Sequence, residues 1–368
     1  MAQIQFRSDD TTPWGQGFGN SSDGVLTIAS NTTDSPTVTT FTGSSGAYSG
    51  TLGSGSGFAA GQIVIIHQSQ GTGVGTWQLN YIISVVSTTV TFLYPLVATF
   101  GTGCQIMVVK QYSNVTINSG QIFTGSLWNG STGGITVLLA SGSITATGTI
   151  NTQTGYRGGT GETNPVEGIQ GEGQTAGQGS TGSANGVGGG GGGGGGQGQG
   201  GGTSSDLADL TNAWFGGGGG GTDTAGGHTP QNGGAGGGFC LLIAPTITVT
   251  GAINLNGVTP TLSDSYSASG SGAGGSLLLK GQNIVLGSSL CTAIGGSAQN
   301  SGNSLAGQNG GGGGHSTGGN TASNGSSGYG GTGRIHADYG SSISGTTNPS
   351  IDSRQDSSLV NKNYGSML

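Results

Sequence analysis

The chain has 368 residues, 87 of them glycine; only 6% are charged, and the formal net charge is −7. Seven Lys and Arg make no basic patch for nucleic acid, and no run of about 18 apolar residues exists to span or insert into a membrane. Three widely spaced cysteines, Cys104, Cys240 and Cys291, form no disulfide framework and read as small buried apolar residues.

Residues 1–35 are polar, with Trp14 and Phe18 in WGQGFG and a short strand at Val25–Ile28. They read as an attachment arm or a first strand. The N-terminus, MAQIQFRSDD, lacks an apolar h-region. The expectation is synthesis in the cytoplasm without a signal peptide, then exit by lysis or a specialised route. From 36 to 112 come GQIVIIHQ (61–68), WQLNYIISVV (77–86), TTVTFLYPL (88–96) and CQIMVVKQY (104–112). Four or five strands with short polar turns suit a small antiparallel barrel or sandwich. Residues 1–112 are therefore read as an N-terminal β-module.

A repeat follows. GGITVLLASGSITATGTINTQTG (133–155), GGFCLLIAPTITVTGAINLNG (237–257) and GGSLLLKGQNIVLGSSLCTAIGG (274–296) each open with Gly-Gly and an apolar run. A corner, an alternating strand and a further short strand come next. Ile144, Ile247 and Ile284 align, as do Ile150, Ile253 and Leu290. GRIHADYGSSISGTTNPSIDS (333–353) is a weaker copy, and VTINSGQIFTG (115–125) a partial one. Strand, corner, strand is the pattern of a β-solenoid, whose coils must stack to cover their apolar faces. The solenoid is expected over 113–350, with Ile135, Val137 and Leu139 pointing inward. A polar tail at 351–368 packs on the last rung or on a neighbour.

Glycine-rich inserts at 156–236, 258–273 and 297–332 all leave after the last short strand of a coil, so they emerge along one edge of the body. Residues 186–202 hold fourteen glycines in seventeen positions, and pure glycine runs recur at 216–221 and 310–314. Two readings stand. One is disordered loops, favoured by the entropy cost of ordering glycine. The other is polyglycine II, extended threefold helices side by side, each bonding its main chain to its neighbours because it has no internal hydrogen bonds. In TSSDLADLTNAWF (203–215), Ser205 is placed to cap a helical turn over Asp206–Ala213. Trp214 and Phe215 then serve either as exposed recognition anchors or as a cover for the end of the glycine bundle. His228, Tyr266, His315 and Tyr329 are the other candidate receptor contacts, all on non-glycine islands within the inserts.

The sequence offers few residues placed for chemistry. Glu162, Glu167 and Glu172 lie five apart in glycine-rich sequence, which holds carboxylates too loosely for acid–base work; they read as a solvated acidic strip. Asp206 and Asp209 read as surface charge. Arg334, His336 and Asp338 alternate on one strand face, as a polar outer face or an end cap. His67, inside IVIIHQ, is structural. No zinc spacing, P-loop, zincin or nucleophile-elbow motif is present. The expectation is no catalysis, no metal and no cofactor.

Glycine tracts between short β-runs, with polar and aromatic islands, resemble the glycine-rich tip adhesins of T-even-like phage tail fibres. The resemblance covers the style of 156–332. The GQIVIIHQ…YIISVVSTTVTFLYPL pattern resembles small β-modules of phage tail fibres and other virion proteins. The resemblance implies an all-β protein with polyglycine II insertions, exposed on a virion surface. It implies contact with a host surface glycan or outer-membrane protein through loops at the insert tips, and with other virion proteins through the N-terminal module. Homo-oligomers fit the same picture. The alternatives are a self-assembling subunit of a filament or capsid decoration and, less well supported, a glycan-degrading β-solenoid enzyme.

Overall fold

The computed structural model describes residues 18–161, 171–173, 207–221, 231–261, 269–298 and 327–359. The glycine tracts at 186–202 and 310–314 lie outside them. Within them the chain is all-β, save one short 3-10 turn at Ser357–Leu359.

Two strands come first, β1 (Val25–Ile28) and β2 (Thr32–Thr33). Six more close an antiparallel barrel: β3 (Val38–Thr42), β4 (Ser49–Leu52), β5 (Ile63–Gln68), β6 (Trp77–Val86), β7 (Thr89–Phe92) and β8 (Cys104–Val109). Around the barrel their order is β3-β4-β7-β6-β5-β8. Alternation along these strands sends Phe41, Leu52, Val64, Ile66, Val90, Phe92 and Ile106 into its core. The sequence left barrel or sandwich open, and closure decides for the barrel.

The remaining strands are parallel: β9 (Gln111–Ile117), β10 (Ile122–Thr124), β11 (Ile135–Ala146), β12 (Thr149–Asn151), β13 (Phe239–Ile243), β14 (Thr246–Val249), β15 (Ala252–Asn254), β16 (Ser276–Thr292), β17 (Arg334–Asn348) and β18 (Asp352–Gln355). They stack in three columns. The first runs from the start of β9 through the starts of β11 and β13 to β16, β17 and β18. The second runs β1, β9, β11, β14, β16, β17, and the third β2, β10, β12, β15, β16, β17.

Three sequence expectations need revision. First, β1 and β2 belong to the stacked ladder through β9 and β10. The barrel is thus inserted between the first two rungs of the ladder, not a module that precedes it. Second, the interior of the coil is built from Leu138, Ala140, Ile144, Ala146 and Ile150 with their equivalents in later rungs. Ile135, Val137 and Leu139 face the other way and pack on Ile63, Ile65, Leu79, Met107 and Val109 of the barrel. Both faces of 135–140 are buried and all its residues but Thr136 are apolar, so alternation carries no signal there. Third, Ile253 pairs with Cys291, so Cys291 rather than Leu290 occupies the inward position. The first residues of the C-terminal tail add β18 to the ladder.

The glycine segments between the rungs are hydrogen-bonded to one another through their main chains. Residues 231–238 run through the middle of this bundle. Gly233 and Gly236 donate to the carbonyls of Gly159 and Tyr156, at 2.8 and 2.9 Å. Gly234 and Gly237 donate to Gly270 and Ala273, at 2.9 and 2.8 Å. Gly219 and Gly216 donate to the carbonyls of Gly234 and Gly237, and Val258 to that of Ala235. Each partner recurs every third residue, so successive amides point to different neighbouring passes. Side chains have no room: a Cβ on Gly233 would overlap the carbonyl of Gly219, and one on Gly236 the carbonyl of Gly216. Close approach of main chain to main chain is what requires glycine here.

Candidate functional site

The outer end of the glycine bundle is the candidate site. Its passes finish at a common level. Gly161 donates to the Asn232 side chain at 2.9 Å, and Gly270 to Gly220 at 2.8 Å. Ser271 Oγ donates to the Ser297 carbonyl at 2.6 Å, and the Ser271 amide to Gly328. Segments 162–170, 222–230, 262–268 and 299–326 join these ends and lie outside the described residues. His228, Tyr266 and His315 fall on those segments. Tyr329 is within the described residues, on an outer pass, and is 48% exposed.

The inner end of the bundle is fastened to the barrel by aromatic rings. Phe215 is 2% exposed, which corrects its reading as a presented anchor. Its ring stacks on His67 with centroids 5.2 Å apart and meets Trp128 and Tyr156 edge-on. Trp214 is half-buried, its Nε1 donates to Asn212 Oδ1, and its carbonyl accepts from Ser276 Oγ at 2.7 Å. The surviving alternative is a cover, at the inner rather than the outer end. Ser205 and Asp206 lie outside the described residues, and Leu207–Ala213 forms turns with Leu210 at φ 51°, not a helical turn.

His67 lies at the centre of this joint. Its Nε2 bonds the Ala213 carbonyl and its Nδ1 the Ser69 hydroxyl, each at 2.8 Å. Burial lowers its pKa to about 4, partly opposed by the bond to Ala213. The ring is therefore neutral near pH 7, so its structural reading fits. Gln105 ties Ser69 to Gly133, and Tyr156 donates its hydroxyl to the Ser69 carbonyl.

Glu172 departs from the solvated-strip reading; Glu162 and Glu167 lie outside the described residues. Glu172 accepts from Trp128 Nε1 at 2.8 Å and pairs with the Arg157 guanidinium, whose Nε is 3.0 Å away. Its own amide donates to the Arg157 carbonyl. The carboxylate thus clamps an outer pass to the bundle and holds Trp128 in place. No sequence signal links Arg157 and Trp128 to it, because the contact depends on the bundle forming.

The end-cap reading of Arg334, His336 and Asp338 gains detail. Asp338, with its side chain 2% exposed, pairs with Lys280 from the preceding rung and with Arg354 Nη2 at 2.8 Å from the following one. His336 bridges Asp338 and Asp352, at 3.3 and 2.7 Å. Burial pushes the Asp338 carboxyl up, but the His336 hydrogen bond and the Lys280 and Arg354 charges outweigh it and hold it well below the usual carboxylate range. Such an interlocked carboxylate is a poor proton donor. Burial also raises the pKa of all three thiols, that of Cys291 to about 12, which leaves them unreactive. Among the described residues no group of three His, Cys, Asp or Glu is placed to hold a metal ion, and no helix is long and apolar enough to cross a membrane. On the barrel, a cavity of about 470 Å³ is lined by Thr42, Ser44, Ser49, Thr51, Thr89 and Thr99 together with Phe100, Ala47 and two glycines.

No family model and no curated protein matches the sequence. Two solved structures are similar over most of this chain. One is a tailspike of Acinetobacter baumannii bacteriophage AP22 in complex with A. baumannii capsular saccharide: 8% identity, TM-score 0.21, covering 89% of this chain and 58% of that one. The other is a tailspike protein from Pseudomonas phage LKA1: 8% identity, TM-score 0.23, covering 88% of this chain and 51% of that one. The chain spans little more than half the length of either. At these identities the likeness assigns no residue a role. The expectation that the chain is not an enzyme is nevertheless withdrawn, because one of these neighbours is a tailspike bound to a saccharide. Lack of a recognised motif excludes no activity toward such a ligand.

Proposed function

We propose that the chain is a phage virion protein of the tail, in which a polyglycine II bundle carries receptor-contacting loops to a host-surface glycan. The three-residue period of the main-chain hydrogen bonds supports the polyglycine II reading. The observation that carries the function is the common level of the pass ends at Gly161, Gly220, Gln231, Ser271, Ser297 and Gly328. Four joining segments begin and finish at that one edge. A scaffold held by its main chain fixes where those segments emerge and places no demand on their sequence. This is the division of labour expected of a recognition surface on a rigid support. The saccharide-bound tailspike supplies the ligand class to test, a capsular polysaccharide.

The test is binding of the purified chain to host cells and to purified capsular polysaccharide, with release of reducing or unsaturated sugar read in the same samples. Replacing His228, Tyr266, His315 and Tyr329 together by Ala should abolish binding with an unchanged melting temperature. Full binding by that variant, or no binding by the wild type to any cell or glycan in the panel, would contradict the proposal.

A further inference from the structure

The parallel ladder has two ends, finished differently in different columns. In the first column β18 covers β17 only over His336–Tyr339. That cover carries the Lys280–Asp338–Arg354 and His336–Asp352 pairs. Charges on an edge strand oppose further pairing. In the other two columns, β17 from Ser342 to Asn348 has no strand beyond it among the described residues. The surrounding stretch, GSSISGTTNPS (340–350), contains no Lys, Arg, Asp or Glu. At the opposite end, β1 and β2 each pair on one side only among the described residues, and GVLTIASNTT (24–33) is equally free of charge.

These open edges occupy the same columns. Val25, Leu26 and Thr27 stand in line with Ser342, Ile343 and Ser344, through β9, β11, β14 and β16. Thr32 and Thr33 stand in line with Thr347 and Asn348. The inward row Val115, Ile144, Ile247, Ile284 is fully buried, whereas its two end members, Leu26 and Ile343, are only partly buried. Val25 beside Leu26 is 64% exposed.

We propose that copies of this chain stack head to tail, the β1–β2 edge of one continuing the ladder on the β17 edge of the next. The contact would pair main-chain groups left over on both edges and bury Leu26 against Ile343. It is heterologous, joining two different edges, so it leaves one edge free on each end of the stack. This inference does not rest on the glycan reading.

Sedimentation velocity of the full chain over a concentration series tests it. Wild type should form species larger than the monomer. Leu26→Lys and Ile343→Lys each spoil one edge, so each alone should stay monomeric, while an equimolar mixture should form dimers and stop there. Thr27→Lys and Ser344→Lys, at exposed positions of the same edges, should repeat the pattern without touching the core. A wild type that stays monomeric throughout overturns the proposal. So does dissociation by only one edge's variants, which marks an isologous contact, or a mixture of folded variants that fails to pair.

Discussion

The stacked strands and the glycine passes lie side by side and obey different rules. In the strands each rung adds a side chain to a shared column, Ile144 under Ile247 under Ile284. In the passes the amides of Gly233, Gly234, Gly236 and Gly237 reach neighbouring carbonyls, and no side chain takes part. The strands gain stability from apolar area removed from water. The passes have little such area to remove, and rely on the saturation of buried polar groups that would be costly to leave unpaired. The two regions are thus fragile to opposite changes: the strands to losing atoms, the passes to gaining one.

The largest effect should come from adding a methyl to a pass. Gly236→Ala puts a Cβ onto the Gly216 carbonyl, which cannot yield without moving its pass. The cost should exceed the ~1–3 kcal/mol of ordinary overpacking, read as a fall in melting temperature and new proteolysis between 207 and 238. Gly46→Ala, where φ is 77° and no atom lies within 4 Å, is the control and should cost only about 1 kcal/mol of backbone strain. Equal losses from the two would erase the distinction.

Next, Asp338→Asn strips Lys280 and Arg354 of their shared carboxylate and should cost ~3–5 kcal/mol, as for other broken buried pairs. The Asp338 pKa is depressed in the fold, so its contribution is present above about pH 4, the ordinary carboxylate value, and is lost as pH falls further. In the variant, acid unfolding should lose that component. Ile247→Ala removes atoms from the buried column and should cost ~2–5 kcal/mol in chemical denaturation.

The joint between the regions gives a pH test. His67 is neutral in the fold with a pKa of about 4, against 6.5 for a free ring. The unfolded chain therefore binds the extra proton first. The contribution is complete above about pH 6.5 and shrinks by roughly 3 kcal/mol as pH falls to 4. His67→Gln should flatten stability over that interval. The smallest effect should follow Glu172→Gln. The Arg157 side chain is 57% exposed, so solvent screening limits the ion pair to about 1 kcal/mol or less. The Gln amide oxygen can still accept from Trp128 Nε1, so that bond loses its charge but not its acceptor, visible as a small change in tryptophan emission.

Much of this comparison is legible in the sequence. Gly-Gly followed by an apolar run marks the start of three rungs, at β11, β13 and β16, and the alignment of Ile144, Ile247 and Ile284 fixes the second column. The inserts leave at one corner because each follows a strand of the same, third column. Which face of 135–140 looks inward is not legible, since the barrel covers the outer face and both faces are apolar. That β1 belongs to the ladder is hidden by the barrel, Val38–Val109, which separates β2 from β9 along the chain. Phe215 beside six glycines looks like an exposed tip, and only the tertiary approach of His67, Trp128 and Tyr156 buries it. Glu172 likewise acquires its role from Arg157 and Trp128, which a local reading does not bring together.

Amide hydrogen exchange tests the central claim most directly. If the glycine passes are held by main-chain bonds, the amides of Gly216, Gly219, Gly233, Gly234, Gly236 and Gly237 should exchange as slowly as those of the neighbouring strand Phe239–Ile243. Exchange of those glycines at the rate of a free chain, beside a protected Phe239–Ile243, would contradict the account.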